Sequence, residues 1–258
     1  MRYRYQKPNS AIATCVKTLL VLEDCIDDVE NKLPMVTNGM PVLLCKMITA
    51  ENGFENIQEL ALYGKSTSQA DWEIKRDTTI IAYFFKPFTV APLFNIPATD
   101  FLKNKIELQN WNAHQTNALK TQLMYAATTE RKIEVLNNLL THLVEQNKRE
   151  CEIIRIATDE IMLNPGHDSL SSIIEKTDLN QRTFQRIFKK YTGVTPMQYK
   201  RICQFQLSFT QLRSGDFNKL TDIAYDNDFA DQSHFIRSFK EFTQITPNDY
   251  LKSGLKKD

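Results

Sequence analysis

The 258-residue chain lacks most of what would mark it as an enzyme, a secreted protein or a membrane protein. Its cysteines, Cys15, Cys25, Cys45, Cys151 and Cys203, form no CxxC pair and no metal-ligand spacing. An odd, scattered set suits a reducing compartment. None of His114, His142, His167 and His234 pairs with another His or a Cys at ligand spacing, so no metal site and no cofactor are expected. GxSxG, P-loop and GxGxxG motifs are missing, and the expectation is a non-enzyme. The cluster Glu23, Asp24, Asp27, Asp28 and Glu30 reads as a solvated turn rather than an acid/base pair or calcium site. Apolar runs such as IIAYFF from Ile80 fall far short of the roughly 18 residues of a membrane span. The opening MRYRYQKPNS has no apolar segment behind its charges. A cytoplasmic protein without membrane contact is therefore expected. A net charge of +1 leaves any nucleic-acid reading to local charge.

What is present is a globular chain, 42% apolar and 24% charged, long enough for two domains. KTLLVLED (17–24), MPVLLCKMI (40–48), IQELALYG (57–64) and TTIIAYFF (78–85) are short apolar or alternating runs separated by Gly, Pro, Asn and Asp. They read as strands of a small barrel or sandwich. From Asn112 onward apolar residues recur at three- and four-residue intervals, as in Ile133, Leu136, Leu140 and Leu143, which predicts amphipathic helices. That stripe packs on its own barrel or forms a dimer seam. The expected class is α+β in two domains. Residues 1–110 form a β-rich domain, 111–150 a helical connector that is a candidate for dimerisation, and 151–258 an all-α domain.

Within the last segment the chain repeats itself. TFQRIFKKYTGVTPMQY from Thr183 returns as HFIRSFKEFTQITPNDY from His234, sharing Phe184/Phe235, Arg186/Arg237, Phe188/Phe239, Lys189/Lys240, Thr192/Thr243, Thr195/Thr246, Pro196/Pro247 and Tyr199/Tyr250. Upstream, LSSIIEKTDL (170–179) and LTDIAYDNDF (220–229) place apolar residues at matching positions. Each unit predicts two short helices joined by a tight turn, a helix-turn-helix. In the second helix of the first unit Phe184, Ile187, Phe188 and Tyr191 share one face, opposite Arg182, Gln185, Arg186 and Lys189. The second unit turns Phe235, Phe239 and Phe242 inward and Gln232, Ser233, Ile236, Arg237 and Lys240 outward. Between Asn180 and Arg201 there are six basic residues and no acidic one, whereas a merely solvated face mixes signs. Arg takes guanine O6/N7 and Gln takes adenine N6/N7 bidentately, so double-stranded DNA is the expected partner. Asn180, Lys189, Lys190, Lys200, Arg201 and Lys240 are the candidates for backbone phosphates. The second copy is weaker by charge, because Asp231 and Glu241 offset Arg237 and Lys240. Tyr199, Ile202, Phe205, Phe209 and Leu212 mark a linking helix with a core face.

Residues 152–253 resemble the DNA-binding domain of AraC/XylS-type transcription regulators, whose pattern ends F-K-x-x-x-G-x-[TS]-P-x-x-[YF]. Phe239-Lys240 and Thr246-Pro247-Asn248-Asp249-Tyr250 match that ending, and Phe188-Lys189 with Gly193-Val194-Thr195-Pro196 echo it. The resemblance implies two helices entering successive major grooves. The base-reading positions then fall on Arg182, Gln185 and Arg186, and on Gln232, Ser233, Ile236 and Arg237. It also implies RNA polymerase as a partner in activation. The chain departs from the pattern at Asp178 and Asp228, where the family favours Gly because the turn needs φ > 0. It departs again at Gln244, and at Gln204 and Ser208 where Arg and Ala are usual. By texture the N-terminal domain is similar to the cupin-like domain of one branch, which implies a sensor for a small-molecule effector and often a homodimer. Tyr63, Trp72, Tyr83 and Phe85 are the candidate effector pocket, or else ordinary core. Two alternatives stand beside this reading. One is a protein-interaction regulator with a degenerate DNA-binding domain, and the other a barrel enzyme fused to a targeting domain.

Overall fold

In the computed structural model, which describes residues 2–23, 40–50, 53–64, 76–103, 105–163, 165 and 169–253, the strand-forming runs assemble into one antiparallel sheet. The strands are β1 (Arg2–Gln6), β2 (Val16–Glu23), β3 (Val42–Thr49), β4 (Glu55–Tyr63), β5 (Thr78–Phe85) and β6 (Ile106–Glu107), in the order β1-β2-β5-β3-β4-β6. Among the described residues the β-rich region is thus an open six-stranded sheet ending in β1 and β6. The acidic cluster beyond Glu23, as well as Cys25, Trp72 and His167, lies outside the described residues.

Both faces of the sheet are buried, which explains why β2, β3 and β5 read as continuous apolar runs rather than alternating ones. Leu19, Val21, Leu43, Cys45, Ile81, Tyr83 and Phe85 point to one face; Leu20, Leu22, Val42, Leu44, Ile80, Ala82 and Phe84 point to the other. The register sets Leu19 opposite Tyr83 and Cys45 opposite Ile81, so like faces meet across strands. β1 escapes the sequence reading because RYRYQ is mostly polar. As an edge strand it needs only one paired side, and its Arg4 is held by Glu23 and by Glu130 at 2.9 Å.

The first face is covered by helices α1 (Val90–Leu93), α2 (Ala98–Lys103), α3 (Leu108–Trp111), α4 (Ala113–Tyr125) and α5 (Thr129–Gln146). Ile133, Leu136, Leu140 and Leu143 of α5 pack into this core at 8% exposure or less. The stripe therefore belongs to its own domain and is not free to act as a dimer seam. Residues 111–150, expected as a connector, contribute to the same core through Leu119 and Leu123. Tyr83 reaches across it, its hydroxyl donating to Asn137 Oδ1 at 2.9 Å. Of the four residues expected to line an effector pocket, Trp72 lies outside the described residues and the other three do not share one face of the sheet. Tyr83 and Phe85 fill the core on one face, while Tyr63 packs with the cluster on the other, because its position along β4 has opposite parity to Leu62.

The chain divides into two units, Met1–Glu152 and Ile153–Asp258. After α6 (Lys148–Leu163) come α7 (Ser169–Thr177), α8 (Gln181–Thr192), α9 (Pro196–Ser214), α10 (Leu220–Asp226), α11 (Gln232–Thr243) and α12 (Pro247–Lys252). The expected helix pairs are α7–α8 and α10–α11, with α9 as the long linking helix.

Candidate nucleic-acid interface

The repeated letters carry repeated structural duties. Phe188 packs on Phe184 at 5.6 Å and on Tyr199 at 5.7 Å between ring centroids. In the second unit Phe239 packs on Phe235 at 5.9 Å and on Tyr250 at 6.1 Å. The hydroxyls of Thr192 and Thr243 each donate at 2.8 Å to the carbonyl four residues back, on Phe188 and Phe239. Thr195 and Thr246 each open the next helix with a capping box and a proline in its first turn. In the first box, Gln198 N donates to Thr195 Oγ1 at 3.2 Å and Thr195 N donates to Gln198 Oε1 at 2.9 Å. In the second, the Thr246 hydroxyl donates to Asp249 Oδ2 at 2.6 Å. These bonds hold the exposed Asp249 carboxyl below its ordinary value, and nearby lysines add to the effect.

The departures from glycine keep the geometry that glycine would serve. Asp178 and Asp228 adopt φ of 50° and 56°, and Gln244 takes 65° where the first unit has Gly193 at 83°. Gln204, standing where Arg is usual, is 6% exposed and donates to the Asn227 and Asp228 carbonyls at 3.3 and 3.2 Å. It ties the turn of the second unit to the linking helix instead of facing solvent. Ser208 is fully buried beside it.

α8 is capped by Asn180, whose side-chain oxygen accepts from Thr183 N at 2.9 Å, so that oxygen is committed to the helix. Phe184 and Phe188 anchor the inner face, which leaves Arg182, Gln185, Arg186 and Lys189 exposed together. Among the described residues no carboxylate pairs with Arg182, Arg186 or Lys189. A groove of about 480 Å³ runs beside this face, lined by Arg182, Arg186, Lys189 and Lys200 around Ile173 and Met197. Met197, 64% exposed in the first turn of α9, was missed by sequence reasoning. Its only signal is its place just after Thr195-Pro196, where the second copy has Asn248.

The other expected phosphate contacts are partly engaged. The Lys190 ammonium sits 4.6 Å over the Tyr191 ring, and Arg201 forms an ion pair with Glu241. α11 is capped by Asp231, which accepts from His234 N at 2.7 Å. The His234 ring stands 5.4 Å from Phe229 and packs there. Ser233, Arg237 and Lys240 are exposed and Gln232 half-buried. Ile236, expected to face outward, packs against the Phe235–Phe239 core, since it lies at the edge of that buried stripe. Phe242, expected inward, is 39% exposed and stacks on Phe205 at 4.6 Å. The electrostatics therefore differ between the units. The α8 face is purely cationic, whereas α11 mixes Arg237 and Lys240 with Asp231 and Glu241.

A family model described as a helix-turn-helix domain matches residues 173–253. An uncharacterized HTH-type transcriptional regulator of Haemophilus influenzae is 25% identical over 141 residues, 49% of this chain and 47% of that one. The HTH-type transcriptional activator RhaS of Citrobacter koseri is 36% identical over 78 residues, 30% of this chain and 28% of its own. RhaS of Mannheimia succiniciproducens is 24% identical over 222 residues, 83% of this chain and 81% of its own. The chain thus spans about half the length of the first of these relatives and under a third of the second. Among solved structures, ToxT from Vibrio cholerae aligns over 97% of both chains at 12% identity and a TM-score of 0.35, a likeness on which no functional assignment rests. Residues 173–253 are thus a helix-turn-helix domain.

Proposed function

We propose that this chain is a sequence-specific DNA-binding regulator of transcription whose helices α8 and α11 enter adjacent major grooves. The observation that carries the reading is the α8 face. Arg182, Gln185, Arg186 and Lys189 are exposed side by side on a capped, core-anchored helix, with no acidic residue from Asn180 to Arg201. Such a face offers bidentate donors to base edges and point charges to phosphates. The duplication of caps, turns and aromatic packing in α10–α11 supports a second reading head about one helical turn (~34 Å) along the duplex. Its mixed charge gives it the smaller share of the affinity. Relatives named as transcriptional activators support activation, with RNA polymerase as partner. The N-terminal unit, with a core of its own, would serve as the sensor or interaction domain through which an effector acts.

Selection of bound sequences from a random duplex library, with the full chain at near-physiological salt, tests this. Two short motifs one helical turn apart are the expected product. One motif alone would assign base reading to α8 and leave α11 as a clamp. No enrichment from the full chain or from residues 151–258 would overturn the DNA reading in favour of a protein-interaction role, the alternative that the acidic residues around α11 favour.

A further inference from the structure

We propose, resting on the DNA reading above, that Asn227 and Gln211 are positioning residues. They fix the angle between the two reading heads and so set the spacing of the two motifs the protein accepts. Both heads hang on α9. Near its start Tyr199 packs on Phe188 of α8 at 5.7 Å. Further along, Phe205 and Phe209 pack on Phe239 of α11 at 5.7 and 6.0 Å. Such apolar contacts are non-directional and leave a helix pair some freedom to turn against its support. Hydrogen bonds fix direction as well as distance.

On the second head that direction comes from side-chain amides. Gln204, Ser208 and Gln211 line one face of α9 by the i, i+4, i+7 rule. Ser208 is small and fully buried, which lets α10 come close. Asn227, 7% exposed at the end of α10, donates one N–H to Gln211 Oε1 at 2.7 Å and the other to the Ile223 carbonyl at 2.8 Å. The Gln211 amide in turn donates to Asp226 Oδ2 at 2.8 Å and to the Asp216 carbonyl at 3.1 Å. With the Gln204 bonds to the turn, every N–H of the three amides is engaged. A buried polar network satisfied to this degree holds one geometry, because rotation strands its donors.

The first unit shows that Asn227 does more than cap its helix. Thr177 occupies the matching place there, and its hydroxyl donates to the Ile173 carbonyl at 2.7 Å, the same bond back to the helix. A hydroxyl has one proton, so Thr177 has none left for a neighbouring helix. Asn227 has a second N–H and gives it to α9. Moving a motif by one base pair turns its groove by about 34° around the duplex. A head locked to α9 therefore meets one spacing squarely, whereas a loosely held one follows the groove.

The test uses the full-length chain and the duplex selected from the random library, with versions that set the two motifs one base pair closer or farther apart. Fluorescence anisotropy gives the ratio of affinities between native and altered spacing. Asn227→Thr installs the first unit's residue, which keeps the bond to Ile223 and gives up the one to Gln211. The wild type should prefer the native spacing, and Asn227→Thr should reduce that preference by roughly 2- to 12-fold, as loss of one net hydrogen bond would. Binding to a duplex with the α8 motif alone should not change. A merely structural loss scales all duplexes alike and leaves the ratio where it was, which would overturn the proposal. So would a wild type that accepts every spacing or selects one motif only, outcomes that leave the DNA reading standing. Absence of any selected sequence removes the DNA reading and the positioning role with it. Should Asn227→Thr not fold, Gln211→Ala, which spares the bond from Asn227 to Ile223, is held to the same ratio.

Discussion

Replacing Arg186 by alanine separates base reading from phosphate holding on α8. In the free protein the side chain is exposed, and among the described residues no carboxylate pairs with it. Truncation therefore breaks no internal ion pair, and alanine is the best helix former. The fold is anchored by Phe184 and Phe188 on the opposite face, so stability should stay within about 0.5 kcal/mol of wild type. Any loss of DNA affinity then belongs to the complex. If the guanidinium takes a guanine bidentately, the loss is about 1–3 kcal/mol, a fall of roughly 5- to 150-fold in affinity. The deficit should collapse on duplexes with that base pair changed. Lys189→Ala, the phosphate control, should weaken all duplexes alike and reduce the slope of log affinity against log salt by about 0.9. Fluorescence anisotropy on the selected duplex and its single-base variants, at several salt concentrations, reads both quantities. If Arg186→Ala behaves as Lys189→Ala is expected to, Arg186 lies on phosphate and the base-reading assignment is refuted. If neither change alters binding, α8 does not lie in a groove.

Three further outcomes concern the frame that holds these helices. Gln204→Ala strands the Asn227 and Asp228 carbonyls and should cost about 1–3 kcal/mol in urea denaturation, and an unchanged midpoint would show that water replaces the amide. Gln244→Gly relieves a left-handed residue at φ 65°; the relief of about 1–2 kcal/mol exceeds the extra chain entropy of glycine, so unfolding should move to slightly higher denaturant, whereas a lower midpoint would mean that the strain is already relieved locally. Asp249 is held below its ordinary value of 3.8, so its contribution to stability is complete above that value and lost as pH falls through the lower folded value. NMR titration of its carboxyl should give a midpoint below 3.8, and a midpoint at or above that value removes the capping bond from the explanation.

The local structure of the C-terminal unit was legible in the sequence because it is set by short-range chemistry. Caps, turn residues and a 3.6-residue apolar period act within a few positions, and the chain writes them twice. Thr195-Pro196 and Thr246-Pro247 start helices wherever they stand, and Asp178, Asp228 and Gln244 mark the turns even without glycine. The cationic run from Asn180 to Arg201 was equally plain, since charge of one sign on one helix face needs no partner to be recognised. What the sequence could not decide was where side chains meet across the fold. Only the sheet order showed that Tyr63 and Tyr83 lie on opposite faces, that the α5 stripe is core, and that RYRYQ is an edge strand. Only tertiary packing set Gln204 under the second turn and paired Arg201 with Glu241. Those contacts depend on chain closure over long separations, and no local period or propensity encodes which distant residue arrives.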